Sequence, residues 1–127
     1  MQSILIIEDD SDILANLAEY LELEGFAVSQ ANSGSKGISL AKEIVPDLII
    51  CDILMPEVNG FQVLRSVLQN PNTCEIPFIF SSAMSDGLCV SEAQNDGADD
   101  YIVKPYNLDA LLDVVKTRLK TGSKRHH

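Results

Sequence analysis

Histidine is almost missing from this chain: the two present are His126 and His127, at its very end. Acid–base chemistry on an imidazole and histidine-ligated metal sites are thereby excluded from the body of the protein. Cysteine is sparse as well. Cys51, Cys74 and Cys89 form no Cys-x-x-Cys pair, and an odd number cannot all be bridged to one another. They are expected to be reduced, mostly buried thiols, which suits a cytoplasmic protein. Basic residues are few, nine Lys plus Arg against nineteen Asp plus Glu, for a formal charge of −10. A surface of that sign repels phosphate backbones, so direct nucleic-acid binding by this chain is not expected. No apolar run approaches the roughly 20 residues that span a bilayer, and no basic stretch precedes Gln2-Ser3-Ile4-Leu5 as in a signal peptide. No membrane association is therefore expected. The Gly-x-x-x-x-Gly-Lys-[Ser/Thr] signature is absent too, which excludes a P-loop nucleotide hydrolase.

Apolar residues make up 46% of the 127 positions, the composition and length of one globular domain with a real core. We expect that domain over residues 1–120. Residues 121–127 read as a tail, with the terminal histidines either the remnant of a purification tag or a natural terminus.

Short apolar runs alternate with amphipathic segments. Ile4 to Ile7 and Leu48 to Cys51 are wholly apolar, as in strands buried on both faces. Phe26 to Gln30, Phe78-Ile79-Phe80 and Tyr101-Ile102-Val103 supply three more strands. Helical spacing runs from about Ser11 to Glu24 (Leu14, Leu17, Ala18, Leu21), with Gly25 as its stop. A second helix presents Ile38, Ala41 and Ile44-Val45 inward until Pro46-Asp47 breaks it. A third presents Phe61, Leu64, Val67 and Leu68 until Pro71. The fourth, roughly Asp86 to Asn95, has a thin apolar face of Leu88, Val90 and Ala93. Asn107 caps the last, with Leu108, Leu111, Leu112, Val115 and Leu119 on one side. Five strands alternating with five helices predict an α/β fold: a parallel sheet with helices on both faces. For this count the flavodoxin-like strand order 2-1-3-4-5 is the common solution.

Polar residues fall where the strands end. The first strand runs into Glu8-Asp9-Asp10, the third into Asp52, the fourth into Ser81-Ser82 and the fifth into Lys104-Pro105. In a parallel sheet these ends share one rim, where ligands of open α/β sheets bind. Crowded carboxylates repel one another, and a hard divalent cation relieves that repulsion. Glu8, Asp9 and Asp52 therefore make a candidate Mg²⁺ site, with Mn²⁺ as the alternative ion. Asp52 is the candidate nucleophile, since carboxylates form acyl phosphates when charge on the incoming group is neutralised. Lys104 would pair with phosphoryl charge and Ser82 would donate to a phosphoryl oxygen. Taken singly, each has a plainer explanation: Asp10 as a helix cap, Ser82 as a turn residue, Lys104 as a surface charge, Tyr101 as a half-buried strand aromatic.

The stretches Ile4-Leu5-Ile6-Ile7-Glu8-Asp9-Asp10, Asp47 through Pro56, Asn59-Gly60 and Gly97 through Pro105 together resemble the response-regulator receiver family of two-component signalling. The likeness runs from about Ser3 to Leu119. It implies that Asp52 is the phosphoacceptor, that Asp9 ligates Mg²⁺ directly and Glu8 through water, and that Leu54 offers its backbone carbonyl to the ion. It further implies that Ser82 is the switch hydroxyl, that the Ala83 backbone N–H helps hold the phosphoryl group, and that Tyr101 is the switch aromatic. Lys104 matches the family's lysine, with its bond to Pro105 expected to be cis. The phosphodonor would be a sensor histidine kinase or a histidine phosphotransfer protein. The output would pass through the surface of the fourth helix, fifth strand and fifth helix, to an unidentified partner or a fused effector domain. The chain would be a signalling phosphoacceptor, catalysing only its own phosphorylation and dephosphorylation.

Three positions depart from the family's commoner pattern: Glu8 stands for Asp, Ser82 for Thr, and Val114 where one DNA-binding subfamily has a dimer-forming arginine. A rival Asp-based phosphohydrolase of the haloacid-dehalogenase type would need a second Asp two residues after the nucleophile. That position is Leu54.

Overall fold

The β-branched and leucine runs form the centre of the molecule because they alone can be buried on both faces of a sheet. In a computed structural model, which describes residues 1–83 and 87–123, β1 (Ser3–Ile7) and β3 (Leu48–Cys51) lie side by side with Ile4 to Ile7 and Leu48 to Cys51 all buried. β2 (Ala27–Ala31) flanks β1, while β4 (Phe78–Ser82) and β5 (Asp100–Val103) continue the sheet beyond β3. All pairings are parallel, as expected from the alternation, and the order is β2-β1-β3-β4-β5, the common solution for five such units.

Alternation along each strand divides the core in two. Leu5, Ile7, Ile49, Cys51, Phe78 and Phe80 face one layer, and Ile4, Ile6, Leu48, Ile50 and Ile79 face the other. α1 (Ser11–Leu23) and α5 (Leu108–Thr121) cover the second layer through Leu14, Leu17, Leu21, Leu111, Leu112 and Val115. The first layer is covered by α2 (Gly34–Ile44), α3 (Gly60–Gln69) and α4 (Gly87–Asp96). Among the described residues, no helix is long and apolar enough to cross a membrane.

Asp10, Ser33, Asn59 and Asn107 cap α1, α2, α3 and α5 with their side chains, each accepting from backbone N–H groups of the first turn. The α2 face differs from its sequence pattern. Ile44 and Val45 are 38% and 44% exposed rather than inward. Small residues make the contact instead: Gly34, Gly37 and Ala41 are buried, and a Cβ at Gly37 would lie 2.7 Å from Ile7 Cγ1. The helix sits too close to β1 for a larger side chain there. Val45 meanwhile closes α2 in the left-handed conformation, at φ 44°. α4 begins at Gly87; Asp86 and the Leu88 side chain lie outside the described residues. Val90 is half-buried and Ala93 fully buried. α5 runs through position 120 to Thr121, and the Ser123 hydroxyl reaches back to donate to Asp99 Oδ1 at 3.1 Å.

Candidate functional site

The rim of the sheet at the C-terminal strand ends carries the polar cluster. Hydrogen bonds that continue the ladder hold it there: Asp52 N–H donates to the Ile7 carbonyl at 2.9 Å, and Glu8 N–H to the Ala31 carbonyl at 3.0 Å. Asp52 is thereby drawn alongside Glu8 from a point 44 residues away in sequence. Ligand atoms of Glu8, Asp9 and Asp52 all lie within 4.8 Å of one another. Glu8 and Asp52 are buried, at 3% and 7% exposure, whereas Asp9 is exposed at the mouth.

Lys104 closes the cluster from β5. Its backbone N–H donates to the Ser82 carbonyl at 2.8 Å, which ties the end of β5 to the end of β4. Its ammonium forms an ion pair with Glu8 Oε1 and stands 3.6 Å from Asp52 Oδ1. The Lys104–Pro105 peptide bond is cis, as the family resemblance implied. Ser82 is fully buried at the end of β4, and Ala83 follows it at the surface. Leu54 turns its side chain outward, 60% exposed. Tyr101 is half-buried on β5. Its ring packs edge-on to Phe80 with centroids 6.3 Å apart, and its hydroxyl lies 3.5 Å from Cys89 Sγ on α4.

Electrostatics in the cluster follow from burial. Desolvation is the largest influence on Asp52, and the Glu8 charge adds to it. Together they push the Asp52 carboxyl up to about 7, against the opposing pull of Lys104 and of the Ile53 N–H. Burial pulls Lys104 downward, but the hydrogen bond to Glu8 and the charges of Asp52 and Glu8 outweigh it and raise its pKa. Three carboxyl groups thus crowd round a single ammonium. An all-oxygen set of acids without His or Cys suits a hard divalent cation.

Several parts of the site carry no signal in the sequence. Ile53 N–H donates to Asp52 Oδ1 at 2.9 Å, and the Cys51 thiol lies 3.1 Å from the Asp52 carbonyl. Backbone donors look alike whatever the residue, so no reading of side chains would find Ile53. Tyr106, two residues past Lys104, is half-buried and hydrogen-bonded to the buried Ser81 side chain. Its place directly after the polar end of β5 was the one available hint. Beside it, an open and largely apolar cavity of ≈ 400 Å³ lies between the start of α1 (Ile13, Leu17) and Pro105, Tyr106 and Leu108.

Against known proteins, the sequence model of the response regulator receiver domain matches residues 4–116. The chain is 36% identical over 120 residues to the DNA-binding dual master transcriptional regulator RpaA of Synechocystis sp., covering 94% of this chain and 50% of that protein. To the transcriptional regulatory protein AfsQ1 of Streptomyces coelicolor it is 39% identical over 121 residues, covering 93% and 52%. The chain therefore spans about half the length of these curated relatives. Among solved structures, the signal receiver domain of a signal transduction histidine kinase from Syntrophus aciditrophicus superimposes with a TM-score of 0.88 at 33% identity, over 100% of this chain and 96% of that one.

Proposed function

Because the chain belongs to the response-regulator receiver family of two-component signalling, we propose that it accepts a phosphoryl group on Asp52 from a sensor histidine kinase or a histidine phosphotransfer protein. One observation carries the reading: the clustered ligand oxygens of Glu8, Asp9 and Asp52, with the Lys104 ammonium 3.6 Å from Asp52.

Glu8, Asp9 and Asp52, with the Leu54 backbone carbonyl, would hold Mg²⁺ or Mn²⁺. When bound, the divalent cation neutralises charge that accumulates as the phosphoryl group approaches the carboxylates. An oxygen of anionic Asp52 bonds to phosphorus as the P–N bond of the donor's phosphohistidine breaks. The bonding pair goes to the imidazole nitrogen, which takes up a proton from water, and the phosphoryl group stays on Asp52 as an acyl phosphate. Lys104 pairs with its oxygens, and the Ser82 hydroxyl and Ala83 N–H donate to them. No acid–base residue is needed, since positioning and charge neutralisation carry phosphoryl transfer.

The apolar cavity bordered by α1 and Pro105-Tyr106 lies beside Lys104, and we assign the docking of the donor to that side of the rim. Once phosphorylated, Ser82 moves toward the phosphoryl group and Tyr101 follows, changing the surface of α4, β5 and α5. RpaA and AfsQ1 are transcriptional regulators about twice as long as this chain, so the output here passes to a partner or a fused effector domain in the cytoplasm.

The test is intact-protein mass spectrometry after incubation with acetyl phosphate, with and without Mg²⁺, alongside Asp52→Asn. A Mg²⁺-dependent gain of one phosphoryl group, absent in the variant, is the expected result. No gain either there or with a histidine-phosphorylated donor would overturn the assignment in favour of an adaptor that never takes phosphate.

A further inference from the structure

Asp99 immediately precedes β5 and Asp100 is its first residue, at the end of the sheet opposite the rim. Neither belongs to the rim's acid cluster, and both hold the far end of α5. Asp99 is buried, at 3% exposure. Its N–H donates to the Phe78 carbonyl at 2.9 Å, and its Oδ2 accepts the Phe78 N–H at 2.8 Å. Its Oδ1 accepts the Ser123 hydroxyl at 3.1 Å. Asp100 receives a forked pair from Arg118 in the last turn of α5: Nε donates to Oδ2 at 2.7 Å and Nη2 to Oδ1 at 3.3 Å.

The chain folds back to meet these acids. Gly122 ends α5 at φ 78°, its N–H donating to the Arg118 carbonyl at 2.7 Å. The Gly122 carbonyl in turn accepts from Arg118 Nη1 at 3.5 Å. That turn sends Ser123 toward Asp99 instead of onward along the helix axis. The Arg118 side chain is 11% exposed, so its pair with Asp100 is weakly screened, and a planar guanidinium on a carboxylate fixes direction as well as distance. A last turn held by helix bonds alone frays, whereas this one is pinned to two acids of a neighbouring element.

We propose that Asp99, Asp100, Arg118 and Ser123 form a clamp that makes β5 the element that sets where the chain leaves the folded core. The same strand carries Tyr101 and runs directly into Lys104 at the rim. β5 is only four residues long, so its two ends move together. A pull on its rim end draws Asp99 and Asp100 away from α5 and loosens the exit. The state of the rim is thereby felt where the chain departs. This coupling rests on the proposed function, because the phosphoryl group on Asp52 supplies the pull; the clamp itself does not.

The experiment is amide hydrogen exchange at Thr121 and Gly122, read by NMR on the whole chain, for wild type, Ser123→Ala and Arg118→Met. Both variants should exchange about three- to tenfold faster at these amides, the worth of one hydrogen bond. Exchange as slow as wild type in both variants overturns the clamp. If Arg118→Met does not fold, Ser123→Ala decides alone. With Mg²⁺ and acetyl phosphate, wild-type exchange at Gly122 should quicken about twofold or more, with no further change in Arg118→Met. Wild-type exchange that stays constant while mass spectrometry records the added phosphoryl group overturns the coupling and leaves the proposed function standing. A chain that gains no phosphoryl group overturns the proposed function and the coupling together, and the clamp is still judged by the variants.

Discussion

Gly60 stands so close to Asp52 that a side chain at position 60 would run into the Asp52 carbonyl oxygen. The first residue of α3 lies against the strand end that carries the candidate nucleophile, and its N–H donates to the Ile53 carbonyl at 2.8 Å. A Cβ there would also lie 2.8 Å from Ile53 Cα and 2.9 Å from a ring carbon of Phe80. Two of these three neighbours are backbone and cannot swing aside.

Gly60→Ala should therefore cost about 1–3 kcal/mol, the usual penalty of overpacking a tight contact. It should also slow phosphoryl acceptance, since the strain falls on the backbone of Asp52. Urea unfolding and the acetyl phosphate assay read the two effects. A variant as stable and as fast as wild type would show that the loop relaxes freely.

Asp52 also makes stability depend on pH. Its folded carboxyl titrates near 7 and its unfolded one near 3.8. Between these values the folded state holds the proton that the unfolded state has lost, so stability falls as pH rises from about 4 to 7. Asp52→Asn removes this penalty. Without divalent cations it should be about 1–3 kcal/mol more stable than wild type at pH 8, and equally stable below pH 4. Unfolding curves in chelator at several pH values would test this; a constant difference across the range would refute the linkage.

Asp9 is the exposed member of the acid cluster. Asp9→Ala should leave stability within about 0.5 kcal/mol in chelator, as surface changes usually do. The same change should sharply reduce the rise in unfolding midpoint on adding Mg²⁺, because one of three charged donors is gone. A full Mg²⁺ response in the variant would remove Asp9 from the cation site.

Val45 is a β-branched residue held in the left-handed region at the end of α2, and it is 44% exposed. Glycine adopts that conformation without the steric penalty. Val45→Gly should raise stability by about 0.5–1.5 kcal/mol, the relief of left-handed strain outweighing the loss of a half-exposed side chain. Thermal unfolding would show a higher midpoint.

Much of this protein was already determined by the order of its residues. Apolar runs long enough only for strands, helical spacing between them and capping residues such as Asp10 and Asn107 dictate five alternating units. Parallel strands then put Glu8, Asp9, Asp52, Ser82 and Lys104 on one rim, because every C-terminal strand end must lie there. What the sequence could not express is distance. Ile44 and Val45 carry the apolar signature of an inner face, yet Gly34, Gly37 and Ala41 make the contact, because how closely α2 approaches β1 is settled only when the layers pack. The Glu8–Lys104 pair, the Ile53 donor to Asp52 and the Tyr106–Ser81 bond belong to the same class. Each depends on side-chain reach and on the exact path of the backbone, and the low dielectric that shifts Asp52 exists only once the packed elements exclude water.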